Sequence, residues 1–398
     1  NTAIGYQALS ALTTGTVNTA VGQDTLTINT TGSYNTAMGP TALDANTTGS
    51  YNTGIAYRAL SANIDGEKNT AIGYNAMEAN TTADNNVAVG AQALQANTTG
   101  TNNTAVGFDA LNDNVTTSGN TAIGKQSLSK NIAANNTSVG YLSLVENTTG
   151  ANNVAVGFEA LQENTTGASN TAVGSESLDA NTTGSDNVAM GRHALGGNTT
   201  GVQNTALGKS SLFSNTTAGN NIAVGFEAAK LNTTGTRIIA IGANAYDASD
   251  TENDNLAIGY QAMTTNTAGG VTNVAIGNYS LDALTSGDGN VGVGMETLSA
   301  TNTGRYNTAV GYRTLYTNTS GDTNVAVGKE SLYYNTTGDD NIALGNQALT
   351  SNTTGASNTA IGTNALTANT TADDNVAIGH NTLSANTTGT RNIGIGRG

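Results

Sequence analysis

Asn35-Thr-Ala-Met-Gly-Pro-Thr-Ala-Leu-Asp-Ala-Asn-Thr-Thr-Gly-Ser-Tyr51 is one block of seventeen residues, and blocks of the same pattern run from Asn1 to the end of the chain. Twenty-three full blocks fill residues 1–391, and a twenty-fourth begins at Asn392. All have seventeen residues except Asn120 to Asn135, with sixteen, and Asn255 to Thr272, with eighteen. A unit this short cannot bury its apolar side alone and must stack on copies of itself. The period therefore predicts one continuous solenoid over 1–398, without internal linkers or separate caps. At ~4.8 Å per stacked strand such a rod is roughly 110 Å long.

Counting each block from its Asn, positions 2–4 read Thr/Val-Ala-Val/Ile, as in Thr19-Ala20-Val21 and Val87-Ala88-Val89, followed by Gly in all but one block. This is a short strand whose fourth position, mostly β-branched, suits a pleated surface. Alternation puts positions 2 and 4 on one face and 3 and 5 on the other. If 2 and 4 face the core, Ala and Gly form a smooth outer strip that another chain could approach closely.

Position 9 is apolar too, but it is Leu in nineteen full blocks and never Val or Ile; Met77, Ala229, Tyr246 and Met263 are the exceptions. With Ala or Ser before it and Gln or Glu nearby, as in Phe158-Glu-Ala-Leu-Gln-Glu163, the segment predicts a short helical turn. Pro40, the only proline, stands where that turn would begin. A second short strand is the competing reading. The fold class is thus an all-β or β-rich parallel solenoid or β-roll, with one short strand and one helical turn per coil. Asn-Thr-Thr-Gly closes each coil with turn chemistry.

Asn stands at position 1 in every block but the one that starts with Ile238. Stacking would align Asn1, Asn18, Asn35, Asn52, Asn69 and Asn86 into a structural ladder whose amides bond the coils on either side. A second feature is Asn-x-Ser/Thr at positions 12–14, including Asn29, Asn46, Asn80, Asn97, Asn147 and Asn386. These are candidate glycosylation sites, set against the simpler reading of turn formation.

Charge and composition exclude several classes. The net charge is −15, yet only a tenth of residues are charged, and thirteen Lys and Arg scattered along the chain supply no basic stripe for nucleic acid. No apolar run reaches the ~18 residues of a membrane span, and no leader opens the sequence. There is no cysteine. His193 and His380 lie eleven coils apart, too far to share a metal or proton relay. Asp339-Asp340, Asp373-Asp374 and the Asp250-Thr-Glu252-Asn-Asp254 cluster read as solvated turns. No catalytic, cofactor or metal site is expected.

Two surface features invite a binding reading. Aromatics recur at position 6, among them Tyr6, Tyr57, Tyr74, Phe108 and Phe158, but Lys125, Arg192, Ser175, Asn278 and Thr363 take the same place elsewhere, which favours packing at the coil edge over recognition of one ligand. Regular threonines suggest an ice-organising face, but Thr13-Thr14 pairs are consecutive and point to opposite sides of a strand.

These Asn-Thr-Ala-Val/Ile-Gly blocks, with their Ala-Leu and Asn-Thr-Thr-Gly segments, resemble repeats of bacterial surface fibres and phage tail fibres. The Val274-Ala-Ile-Gly277 strand resembles the head repeats of trimeric autotransporter adhesins, a likeness that implies a left-handed parallel β-roll assembled as a trimer. Here the period is longer and carries the inserted Tyr6-Gln-Ala-Leu9 type of segment. The function expected is a non-catalytic extracellular fibre shaft, on a cell surface or virion, that sets length and stiffness. Both ends read as internal strands, so either more repeats flank this segment or molecules stack end to end; the partner expected is the chain itself, end to end or laterally. The alternative is a lateral binding module for surface glycans or ice.

Overall fold

A computed structural model describes residues 1–266 and 269–398. They form two compact units, Asn1–Gly201 and Val202–Gly398. The first holds twelve strands of three residues, from β1 (Thr2–Ile4) to β12 (Val188–Met190), and the second another twelve, from β13 (Thr205–Leu207) to β24 (Ile393–Ile395). Each unit is a parallel β-solenoid in which successive strands pair residue for residue, as Thr36 with Thr53 and Val325 with Ile342.

The two irregular blocks keep this register. β8 (Thr121–Ile123) pairs with β9 (Thr137–Val139) at a step of sixteen, and β16 (Leu256–Ile258) with β17 (Val274–Ile276) at a step of eighteen. Both length changes are absorbed in the closing turn. The position-12 amide reaches a carbonyl three residues on in ordinary coils (Asn46 to Gly49, 3.0 Å), two on at Asn131 (Ala133, 2.7 Å) and four on at Asn266 (Gly270, 2.7 Å).

The expected helical turn is absent: among the described residues there is no helix. Positions 7 and 9 instead take left-handed backbone, for example Gln92 at φ 58° and Leu94 at φ 53°. Alternating left-handed residues cannot build a right-handed helical turn. Their N–H groups point to neighbouring coils, Gln92 to the Tyr74 carbonyl (2.8 Å) and Leu94 to that of Ala110 (2.9 Å). This geometry also accounts for the missing Val and Ile, because a β-branched side chain clashes with its own backbone at positive φ. The β-branched residues that do occur at such angles, Val17, Thr41, Thr272 and Thr323, all lie outside the core. Avoidance of β-branching at position 9 thus marks a left-handed corner.

Strand orientation is the reverse of the smooth-strip arrangement. Ala20, Ala37, Ala71 and Ala88 at position 3 are fully buried, as are the position-9 leucines from Leu26 to Leu366. Positions 2 and 4 look outward, with Met38 at 43% and Ile72 at 37% exposure. Only small side chains fit between the strand and the facing Leu, Ala in most coils, with Gly54 and the fully buried Ser138 as variants; β-branched side chains line the outer surface, where Thr occupies position 2 in nine of the first unit's twelve strands.

Candidate functional site

Two rows of asparagine run inside each unit. At position 1, Asn18 donates its N–H to Asn1 Oδ1 (2.7 Å), Asn35 to Asn18 (2.9 Å), Asn52 to Asn35 (2.9 Å), Asn69 to Asn52 (2.9 Å) and Asn86 to Asn69 (3.0 Å). Each Nδ2 then donates to the position-15 carbonyl of its own block, as Asn35 does to Gly49 (2.8 Å). In the second row, Asn46 Nδ2 donates to Asn29 Oδ1 (2.8 Å) and to the same Gly49 carbonyl (3.0 Å). Two amides thus fill both lone pairs of one buried carbonyl in ordinary coils, and the second unit repeats the position-1 ladder at Asn307 and Asn324.

The candidate glycosylation positions coincide with that second row. Asn29, Asn46, Asn80, Asn97 and Asn147 are fully buried, and Asn386 is half-buried. Their Nδ2 atoms are already donors: Asn80 to Asn63 Oδ1 (2.8 Å), Asn97 to Asn80 (3.0 Å), Asn147 to Asn131 (2.7 Å) and Asn386 to the Gly389 carbonyl (2.9 Å). In the folded unit this geometry favours turn and ladder chemistry over sugar attachment. The position-13 threonines are also engaged, Thr47 Oγ1 donating to the Ile64 carbonyl (3.0 Å) and Thr165 to that of Thr182 (2.9 Å).

The acidic pairs serve stacking. Asp339 Oδ1 accepts from the Asp322 N–H and Asp373 Oδ1 from that of Ala356, each at 2.8 Å. Glu252, almost fully buried, accepts from the N–H groups of Asp250 (3.2 Å), Thr251 (3.1 Å) and Gly269 (3.0 Å). His193 lies 3.2 Å from Glu176, and His380 is exposed in the other unit. Among the described residues no three His, Cys, Asp or Glu side chains converge in a way that could hold a metal ion. Nor is any helix long and apolar enough to cross a membrane.

Position 10 is electrostatically distinct. Asp44, Asp179, Asp247 and Asp282 all occupy it, and burial raises the carboxyl pKa of each, that of Asp179 to about 6. Half-buried beside the position-7 row, these carboxylates lose water that nearby backbone bonds only partly replace.

On the outer surface the position-6 aromatics stack between adjacent coils, Tyr57 on Tyr74 at 5.7 Å and Tyr141 on Phe158 at 5.8 Å. A cluster that the position-6 pattern misses lies in the second unit, where Tyr316, Tyr333 and Tyr334 occupy positions 10 and 11. Tyr316 and Tyr333 stack at 5.1 Å, and Arg313 lies over the rings of Tyr312 (5.1 Å) and Tyr316 (5.7 Å). The sequence signal was local density: seven of the fourteen tyrosines lie between Tyr260 and Tyr334.

No protein-family model matches this sequence, and no curated protein matches it either.

Proposed function

We propose that the chain is a non-catalytic structural segment, the shaft of an extracellular fibre such as a surface adhesin or tail fibre, whose coils set length and stiffness. The observation that supports this reading most is the paired Asn rows. In coil after coil, the inward polar side chains are consumed by bonds that tie one coil to the next, which resists shear and bending. The extracellular setting rests on the likeness of the repeats to fibre repeats.

Lateral self-association belongs to the same proposal, and the outward rows of the strands support it. A second copy is the occupant that fits, because two copies of the same outward row, with Val, Ile and Met at position 4, can stack face to face as paired sheets do. Twelve strands of three residues present a face whose pairing buries on the order of 1,100 Å² in total, about what a specific interface needs. Aspartate at Val89, Val106 and Ile123 would place charges on that face.

Length dependence tests the shaft. Deleting residues 18–119, six whole coils, should shorten particles in electron micrographs by about 29 Å and leave the fold intact. Collapse into a globule, or no change in length, would remove the proposal. Light scattering tests association: the wild type should exceed monomer mass and the triple aspartate variant should not. A monomeric wild type would remove lateral pairing alone.

A further inference from the structure

Between the rows at positions 7 and 10, over coils 17–21 of the second unit, lies a shallow groove. One part is bordered by Tyr279, Asp282, Glu296, Ser299 and Tyr316. The next is bordered by Arg313, Glu330, Tyr333, Tyr334, Gln347 and Thr350. The two are one feature, because Arg313 Nε donates to Glu296 Oε2 (2.6 Å) and Tyr316 stacks on Tyr333 across the join. Five coils are separated by four steps of ~4.8 Å, so it is about 19 Å long.

Its chemistry is specific. Tyr316 and Tyr333 belong to successive coils and lie nearly parallel, 8° apart, so their ring planes cut across the stacking direction. Tyr334 is turned 78° from Tyr333, at 4.6 Å, and is 52% exposed. Its flat face therefore runs along the groove as a platform. Around it stand groups with fixed directions: Arg313 held by Glu296, and Glu330 held by Gln347 Nε2 (2.8 Å), with Thr350 Oγ1 bonded to the Glu330 carbonyl (3.0 Å). An aromatic face beside planar donors and acceptors suits a pyranose ring, whose C–H face lies on the aromatic ring while its hydroxyls take bidentate bonds.

We propose that this groove is a binding site for a neutral, linear oligosaccharide of about four sugar units, with one ring stacked on Tyr334 and its neighbours bonded by Arg313, Glu330 and Gln347. A pyranose of an extended chain advances by about one coil, so successive sugars meet successive pairs of position-7 and position-10 side chains. The charge balance selects the class. Asp282, Glu296 and Glu330 outnumber Arg313 and disfavour uronic, sulfated or phosphorylated polymers, nucleic acid included. An aromatic-lined groove can also hold a proline-rich helix, but the several carboxylate and amide groups here match hydroxyls, which such a peptide lacks. The site is independent of the shaft reading: a shaft that binds no sugar remains a shaft.

The test is titration of the whole chain with cellotetraose, chitotetraose and mannotetraose, with tetragalacturonate and decaproline as comparisons. The chain has no tryptophan, so tyrosine fluorescence reports binding alongside calorimetry. The expected result is saturable binding of at least one neutral tetrasaccharide. Tyr334→Ala should weaken it about tenfold or more and Tyr334→Phe hardly at all, while Tyr74→Ala, an exposed tyrosine of the other unit, should have no effect. Tyr334 is exposed enough for the alanine variant to fold, and Gln347→Ala gives a second reading within the groove. Binding of none of the three neutral sugars, binding unchanged in both Tyr334→Ala and Gln347→Ala, or binding confined to decaproline or tetragalacturonate would overturn the proposal.

Discussion

The Tyr246 hydroxyl donates to the Glu252 carbonyl across 3.2 Å, replacing the asparagine amides that cap the position-15 carbonyl in other coils. Coil 15 lacks both amides, having Ile238 at position 1 and Ser249 at position 12. Ile238 still gives its N–H to Asn221 Oδ1 (3.0 Å), so the ladder below is complete. Above, Asn255 Nδ2 donates to the same tyrosine oxygen (2.9 Å). Three departures from the repeat are therefore one exchange, in which a fully buried phenol does the work of two amides.

Tyr246→Phe should accordingly leave a buried carbonyl without its donor and cost about 1–3 kcal/mol, measured by denaturant unfolding. Restoring the repeat with Ile238→Asn, Ser249→Asn and Tyr246→Leu together should recover most of that loss. A silent Tyr246→Phe would show the bond to be dispensable.

Asn46→Asp removes the amide donor from the middle of the second row. Oxygen would then face Asn29 Oδ1 (2.8 Å) and the Gly49 carbonyl (3.0 Å), so a destabilisation of about 2–3 kcal/mol or more is expected. Hydrogen exchange should quicken first in the coils that contain Asn29 and Asn63, the direct neighbours.

Leu94 discriminates the left-handed corner from a helical turn. Leu94→Ile should cost about 2–3 kcal/mol, because branching at Cβ is strained at φ 53°. Leu94→Met should cost less than about 1.5 kcal/mol, since Met77 and Met263 hold the same place. Equal melting temperatures for the two variants would contradict the corner.

Ala56 is the one non-glycine at position 5 and sits at φ 104°, where Cβ is unfavourable. Ala56→Gly should stabilise the first unit by about 1 kcal/mol, visible as a rise in unfolding midpoint.

Asp179 carries a pH signature. Burial chiefly, and then Glu176, raise its pKa from 3.8 to about 6, against the opposing pull of backbone N–H bonds and, less, of His193. The folded state thus holds this proton more tightly than the unfolded state, so the contribution to stability is greatest below pH 4 and declines as pH rises towards 6. Asp179→Asn should remove that decline and make the variant the more stable form at pH 7. Asn112 shows that an amide fits at position 10, where it bonds Asp109 at 2.8 Å. Unfolding midpoints of the two proteins that run parallel from pH 4 to 7 would refute the assignment.

Sequence alone determined the seventeen-residue period, the strand at positions 2–4 and the asparagine ladder at position 1, since recurrence at fixed spacing admits only stacking of like on like. It could not choose which strand face turns inward, because alternation defines two faces without naming the core. The space left between strand and Leu94-type side chains, which admits residues as small as Ala88 or Ser138 but no β-branched side chain, made that choice. Nor could it distinguish a helical turn from a left-handed corner, as both favour unbranched Leu; the decision came from hydrogen bonds that reach the next coil. The second asparagine row and the Tyr246 exchange depend on which carbonyl lies within reach of which amide, a relation between residues three to seventeen apart that only the stacked coils create.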